Sequence, residues 1–273
     1  MGQKTKISWC DSTWSPVTGC LHGCEYCYAR RIAERFGSKQ KPESIERSVL
    51  NAPMRCTDLY SYMRMAGISQ GKVQPYPFDF FPTFHRYKLD EPQHWKKPRT
   101  IFVCSMADLF GEWVPDEWIE QVFKACEAAP QHRYMFLTKN PARFKQLRKN
   151  GVKLPNDCWI GTSVTRDAEQ ADQYTGRTGY LSENWDTTAK WFVSVEPILE
   201  RMSRSSIENL TAMNWVIVGA ETGNRKCKVV PRKEWIDEIA AECKRCRTPI
   251  FMKDSLRDLM GDDFRQEFPW EVE

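Results

Sequence analysis

The chain has 273 residues, enough for one large α/β domain, and its 40 basic and 36 acidic side chains leave a formal net charge of only +4. That balance excludes the dominant basic field of a tight duplex binder. Eleven cysteines, odd in number and unevenly spaced, exclude a plain disulfide framework and point to a reducing compartment.

The start, Met1-Gly-Gln-Lys-Thr-Lys6, has no apolar signal core, and no apolar run approaches the roughly 20 residues of a membrane span. The expected location is the cytoplasm, with no membrane partner. Ile7–Cys10 reads as a first strand, followed by a turn-rich link from Asp11 to Gly19. Next comes Cys20-Leu-His-Gly-Cys24-Glu-Tyr-Cys27, a Cys-x3-Cys-x2-Cys run with Gly19 and Gly23 letting the backbone fold tightly. Three thiols this close can converge on one metal centre. Structural zinc takes four N/S ligands, whereas a [4Fe–4S] cube held by three thiolates leaves one iron open to a non-protein ligand.

A short basic helix, Tyr28 to Phe36, leads into residues 37–98, which have no clear period and end in an aromatic, proline-rich run from Tyr76 to Lys88. This stretch is expected to be an insertion carrying substrate contacts. Beyond it, apolar runs alternate with helical patterns. The predicted strands are Thr100–Ser105, Tyr134–Thr138, Trp159–Val164, Trp191–Val195, Trp215–Gly219 and Ile250–Lys253. Helices are predicted from Pro115 to Cys126, burying Ile119, Val122, Phe123 and Cys126, and from Pro231 to Cys246, burying Trp235, Ile236, Ile239 and Cys243. Residues 255–273 read as an acidic surface tail. Repeated β-α units specify an open doubly wound sheet or a barrel, and periodicity alone does not separate them. The whole chain, 1–273, is expected to be a single domain.

In a parallel α/β sheet, ligands bind beyond the carboxyl ends of the strands. That rule selects Ser105 and Asp108, Lys139, Thr162 and Ser163, Glu196, Glu221 and Lys253, with Cys104 beside the presumed mouth. Several charges aimed at one opening suit a polar small molecule, because buried charges are costly unless paired or liganded. Cys243 sits on an apolar helix face, so the Cys243/Cys246 pair is expected to pack rather than bind metal.

Cys20, Cys24 and Cys27, with Tyr26 directly before the third cysteine, resemble the signature of the radical S-adenosylmethionine (SAM) superfamily. Trp14-Ser-Pro-Val-Thr-Gly-Cys20, Lys88-Leu-Asp-Glu-Pro92, Phe102-Val-Cys-Ser-Met-Ala-Asp-Leu-Phe110, Leu137-Thr-Lys-Asn-Pro141 and Val193-Ser-Val-Glu-Pro197 resemble a branch found widely in phages and bacteria, over about residues 7–254. The chain is also loosely similar to spore photoproduct lyase, a DNA-repair member of the superfamily. The resemblance implies a partial (β/α)6 barrel with a long insertion after the cluster loop. It implies a [4Fe–4S] cluster on Cys20, Cys24 and Cys27, with SAM chelated at the open iron, and an external electron donor of flavodoxin or ferredoxin type. Tyr26 corresponds to an aromatic near the adenine, Thr162 and Ser163 to ribose contacts, and Glu221 to a strand near adenine. The superfamily's usual Gly-Gly-Glu is missing, and Cys104-Ser-Met-Ala-Asp108 stands there, which puts Ser105 and Asp108 in its place. Cys104, Lys139, Glu196 and Lys253 are the candidates for catalysis, with Glu196 and Lys253 also expected as SAM or substrate contacts. The branch brings no substrate; the aromatic and basic segment Tyr76–Lys97 favours nucleic acid or a nucleotide. Two rivals remain: an enzyme of the same chemistry acting on a peptide or small metabolite, and a zinc- or cluster-stabilised binding module without catalysis.

Overall fold

A computed structural model describes residues 5–37, 42–55, 73–167 and 189–271. Strands that are apolar on both faces must be covered on both sides, and the chain meets this with a seven-stranded sheet whose described pairings are all parallel. Its order is β1 (Ser12–Trp14), β5 (Thr100–Val103), β6 (Arg133–Thr138), β7 (Trp159–Val164), β8 (Lys190–Val195), β9 (Trp215–Val218) and β10 (Ile250–Met252). The sheet curls into a half-barrel.

Alternation along each strand divides the core in two. One face carries Ile101, Phe136, Ile160, Val193, Val216 and Ile250, and lies under helices. Over β5–β7 these are α2 (Asp116–Glu127) and α3 (Arg143–Lys149); over β8–β10 they are α4 (Arg204–Thr211), α5 (Lys233–Cys246) and the short α6 (Arg257–Met260). The predicted inward residues of α2 and α5 are buried, except that Trp235 is only partly so. Cys243 is 1% exposed within this apolar layer, where it packs as a small apolar side chain, while Cys246 is exposed. The other face carries Phe102, Met135, Trp159, Phe192, Trp215 and Phe251, which fill the inside of the half-barrel.

Three expectations are corrected. Ile7–Cys10 is a turn, with Cys10 N–H donating to Ile7 O, and the first strand begins two residues later at Ser12. Its Trp9 instead enters the inner core, 4.7 Å from Phe102 centroid to centroid, so bulk that reads as strand serves as a plug. Second, residues 37–98 are not simply an irregular loop. Their described parts build β3 (Val49–Leu50) and β4 (Thr83–His85), which join β2 (Val17–Thr18) in a small sheet, plus single turns of 3-10 helix. Elements of two to four residues are too short to show a period. Residues 38–41 and 56–72 of that insertion lie outside the described residues. Third, 255–271 is no loose tail. Leu256 and Met260 are buried, Gln266 bridges to Phe251, and Phe268 and Trp270 pack on the inner core. Among the described residues, no helix is long and apolar enough to cross a membrane.

Candidate active site

The cysteine run bridges two turns. Gly19 adopts φ +86°, and a Cβ there would lie 2.2 Å from the Phe81 carbonyl oxygen, so only glycine lets the chain pass. Gly19 and Cys20 N–H groups donate to Met106 O and Phe80 O, which ties the loop to β5 and to the insertion. Cys27 then caps α1 (Tyr28–Phe36), its Sγ accepting from Arg30 N–H at 3.3 Å. That cap aims the positive end of the helix at sulfur.

All three thiols line one cavity of about 240 Å³ at the carboxyl mouth of the half-barrel. Each strand from β5 to β10 contributes to its wall: Ser105 and Asp108 after β5, Thr138 and Lys139 at the end of β6, Ser163 on β7, Ser194 and Glu196 on and after β8, Glu221 and Thr222 after β9, and Lys253 after β10. Glu196 and Lys253 form an ion pair at the rim. Arg225 holds Glu221 through both carboxylate oxygens at 2.7 and 2.8 Å and reaches Glu25 of the cysteine loop at 3.4 Å. The Arg225 hydrogen bonds hold the Glu221 carboxyl below its ordinary range. Lys139 Nζ stands 5.4 Å from the centroid of the Tyr26 ring. Burial lifts the Tyr26 phenol, and its contact with Lys139 opposes that lift. Trp9 also lines the cavity, and its indole N–H is buried without a partner among the described residues.

Tyr26, Ser105, Asp108, Lys139, Ser163, Glu196, Glu221 and Lys253 are therefore brought together with the cysteines. Two predicted residues are not. Thr162 alternates with Ser163, so it faces the helix layer, and its buried hydroxyl has no partner among the described residues. Cys104 has φ +58° and is 2% exposed in the apolar core outside the cavity. Burial pushes its thiol up to about 12. Asp108 does line the cavity, but its carboxylate already accepts from His22 Nε2 (2.7 Å), Thr138 Oγ1 (3.0 Å), Lys139 N–H (2.9 Å) and Phe110 N–H (3.0 Å). It fastens the cysteine loop to two strand ends. Ser194, Thr222 and Arg225 were not foreseen. Ser194 had a signal, a lone hydroxyl at an inward register position beside Ser163 in an apolar strand.

The donor set fits an iron–sulfur cluster. Among the described residues, no three His, Cys, Asp or Glu side chains close tightly enough to hold a single ion. The three sulfurs share one cavity, so a [4Fe–4S] cube held by them would keep one iron open to a further ligand. Burial pushes the Cys20 thiol up to about 12, so a thiolate there calls for a cationic partner.

The family described as "Protein of unknown function (DUF5131)" matches residues 4–257. The chain belongs to the DUF5131 family. No curated protein matches its sequence. Among solved structures, the DUF5131 chain is similar in fold to spore photoproduct lyase. A cysteine-to-alanine variant of that enzyme matches with TM-score 0.56 and 11% identity, over 93% of this chain and 79% of that one. The same kind of variant with dinucleoside spore photoproduct matches with TM-score 0.54 and 10% identity, over 93% and 79%. A double variant with bound AdoMet and the dinucleoside matches with TM-score 0.52 and 10% identity, over 92% and 78%. At such identity the likeness establishes the fold.

Proposed function

We propose that this protein is a radical SAM enzyme whose Cys20, Cys24 and Cys27 hold a [4Fe–4S] cluster. One observation carries the reading: the three thiols of a single loop ring the same cavity into which the carboxyl ends of six successive parallel strands deliver polar and charged groups. That spore photoproduct lyase, on the same fold, has been captured with AdoMet supports it. When bound and reduced by an external donor of flavodoxin or ferredoxin type, the cluster supplies one electron that splits SAM into methionine and a 5′-deoxyadenosyl radical, which takes a hydrogen atom from substrate. The chain's own residues position and shield. Glu196 and Lys253 offer opposite charges to the ammonium and carboxylate of the methionine moiety. Ser163 and Ser194 offer hydroxyls at the register expected for ribose, Tyr26 gives a ring for the adenine, and Asp108 keeps the loop seated. Substrate is a nucleotide or nucleic acid, in keeping with the dinucleoside bound by the fold neighbour.

Anaerobic reconstitution should load about four irons and four sulfides per chain, and dithionite plus SAM should then release 5′-deoxyadenosine. Cys24→Ala should abolish that release. Stoichiometric zinc held through a fourth protein ligand, with no SAM affinity, would instead make the protein a non-catalytic binding module.

A further inference from the structure

A second cavity lies against the first. It is a groove of about 740 Å³, walled by Lys6, Tyr76, Lys88, Glu91 and Trp95, and it shares Ile7, Tyr28 and Ser105 with the first cavity. The Tyr28 hydroxyl donates to Ser105 O at 2.8 Å, so these two shared residues are joined where the spaces meet. A molecule in the groove thus adjoins the cavity where SAM would sit, across a boundary formed by these shared residues. The sequence marked this aromatic and basic segment, and the cofactor reading leaves it without a role.

Lys88 is the residue that gives the groove its chemistry. Its backbone is fixed, because its carbonyl accepts from the indole N–H of the buried Trp14 at 2.8 Å. Its side chain is half-buried, yet its ammonium makes no ion pair or hydrogen bond among the described residues. Its described neighbours are the Tyr87 ring, 5.9 Å from centroid to Nζ, the Glu91 carboxyl, with which no ion pair forms, the Cys104 thiol and the buried His85. Burial pulls the Lys88 ammonium below its ordinary range and lifts the Glu91 carboxyl above its own. A half-dried cation with open space beside it is met by an anion from outside. Lys6 adds a second cation to the wall, and Lys96 and Lys97 follow Trp95 in the chain, both exposed. Tyr28, 45% exposed, and Tyr76 offer ring surface. Cations beside open aromatic faces match a phosphate next to a stackable base. An acidic peptide would use the cations and leave the rings idle.

We infer that this groove binds the phosphate and base of a nucleotide unit, as a free nucleotide or within single-stranded nucleic acid, with Lys88 as the phosphate contact. The inference takes its chemistry from the radical SAM reading, but binding in the groove needs no turnover. The test is fluorescence anisotropy of a fluorescein-labelled single-stranded hexanucleotide with reconstituted protein, with a nucleoside 5′-monophosphate and polyglutamate as competitors. Wild type should bind with an affinity that falls as salt rises. Lys88→Met and Lys88→Gln should each weaken binding at least about ten-fold and reduce the salt slope by about one, while iron content, SAM affinity and thermal midpoint stay as in wild type. Lys124→Met, on an exposed face of α2, should change nothing. If the monophosphate displaces the probe at a concentration comparable to free hexanucleotide per site, the groove takes one nucleotide; if only the oligonucleotide competes, it takes a strand. Absence of binding by wild type, unchanged binding in both Lys88 variants, or equal displacement by polyglutamate would overturn the assignment. Lys88-dependent binding without any 5′-deoxyadenosine formation would keep the groove and discard the radical chemistry.

Discussion

Glu196 and Lys253 can meet at the cavity rim because position 219 has no side chain. A Cβ on Gly219 would lie 3.0 Å from Lys253 Cδ and 3.2 Å from Glu196 Cγ, closer than ordinary contact. Gly219→Ala should therefore push the pair aside at a stability cost of about 1 kcal/mol. SAM affinity, measured by equilibrium dialysis, should fall about ten-fold, since charged groups must be held closely in place. Unchanged affinity would remove the pair from the cofactor's contacts. A second residue sets a pH dependence. His85 is fully buried, accepts or donates at Thr18 Oγ1 (2.8 Å), faces Tyr87, and has the Lys88 charge nearby. Burial, aided by Lys88, lowers its pKa from 6.5 to about 3. Between those values the unfolded chain binds a proton that the folded chain does not, so stability rises with pH across the window and is lost as pH falls below 6.5. The loss should reach about 2 kcal/mol near pH 5, at about 1.4 kcal/mol per pH unit. Urea midpoints at pH 7 and pH 5 read it, and His85→Gln should shrink the difference by that amount.

At the scale of the strand, alternation decides which hydroxyl is chemistry and which is packing. Ser163 and Thr162 are neighbours in sequence on β7, yet Ser163 lines the cavity and Thr162 lies under helices. Thr162→Val removes a hydroxyl that has no partner among the described residues, so it should be neutral or slightly stabilising and leave SAM affinity alone. Ser163→Ala should weaken SAM binding several-fold with little change in melting temperature. The opposite pattern would place the cofactor on the wrong face of the sheet. This pair also shows what the sequence could convey. Six of the seven main strands were legible because most are apolar through their length, and α2 and α5 were legible from their periodicity and end residues, with α1 read as a short basic helix after the cysteines. The facing of two adjacent polar residues was not, since a strand buried on both sides shows no alternation to count. For the same reason Ile7–Cys10 passed for a strand, while the polar Ser12–Trp14, which pairs with β5, passed for a link. The cysteine spacing located the loop, but not that Asp108 and Arg225 would anchor it from distant segments.

Taken as one object, the molecule puts opposite tasks at the two ends of its half-barrel. Carboxyl ends of the strands open into the polar cavity, whereas the amino ends, where Trp159 and Trp215 begin β7 and β9, are stoppered by aromatic rings. Phe268 and Trp270, from the last described residues, form the stopper, and Trp9 from near the start of the chain packs between it and the cavity, which it also lines. Trp270 lies 5.3 Å from Trp215 and 5.7 Å from Trp159 between ring centroids, and the Arg133 guanidinium covers it at 4.1 Å. The main chain helps, because Glu267 O accepts the Trp215 indole N–H at 2.9 Å. A sheet that curls only partway round leaves its inner face short of partners, and a clasp from the far end of the chain completes it. Trp270→Ala should cost about 2 to 3 kcal/mol, below the upper range for a fully buried tryptophan because this ring is half-buried. The loss should appear in the urea midpoint, with iron content and SAM affinity unchanged in the folded protein, because the mouth is built from other residues. A variant that loses cofactor before it loses stability would show that the two ends are coupled, and that the C-terminal clasp shapes the cavity as well as sealing the core.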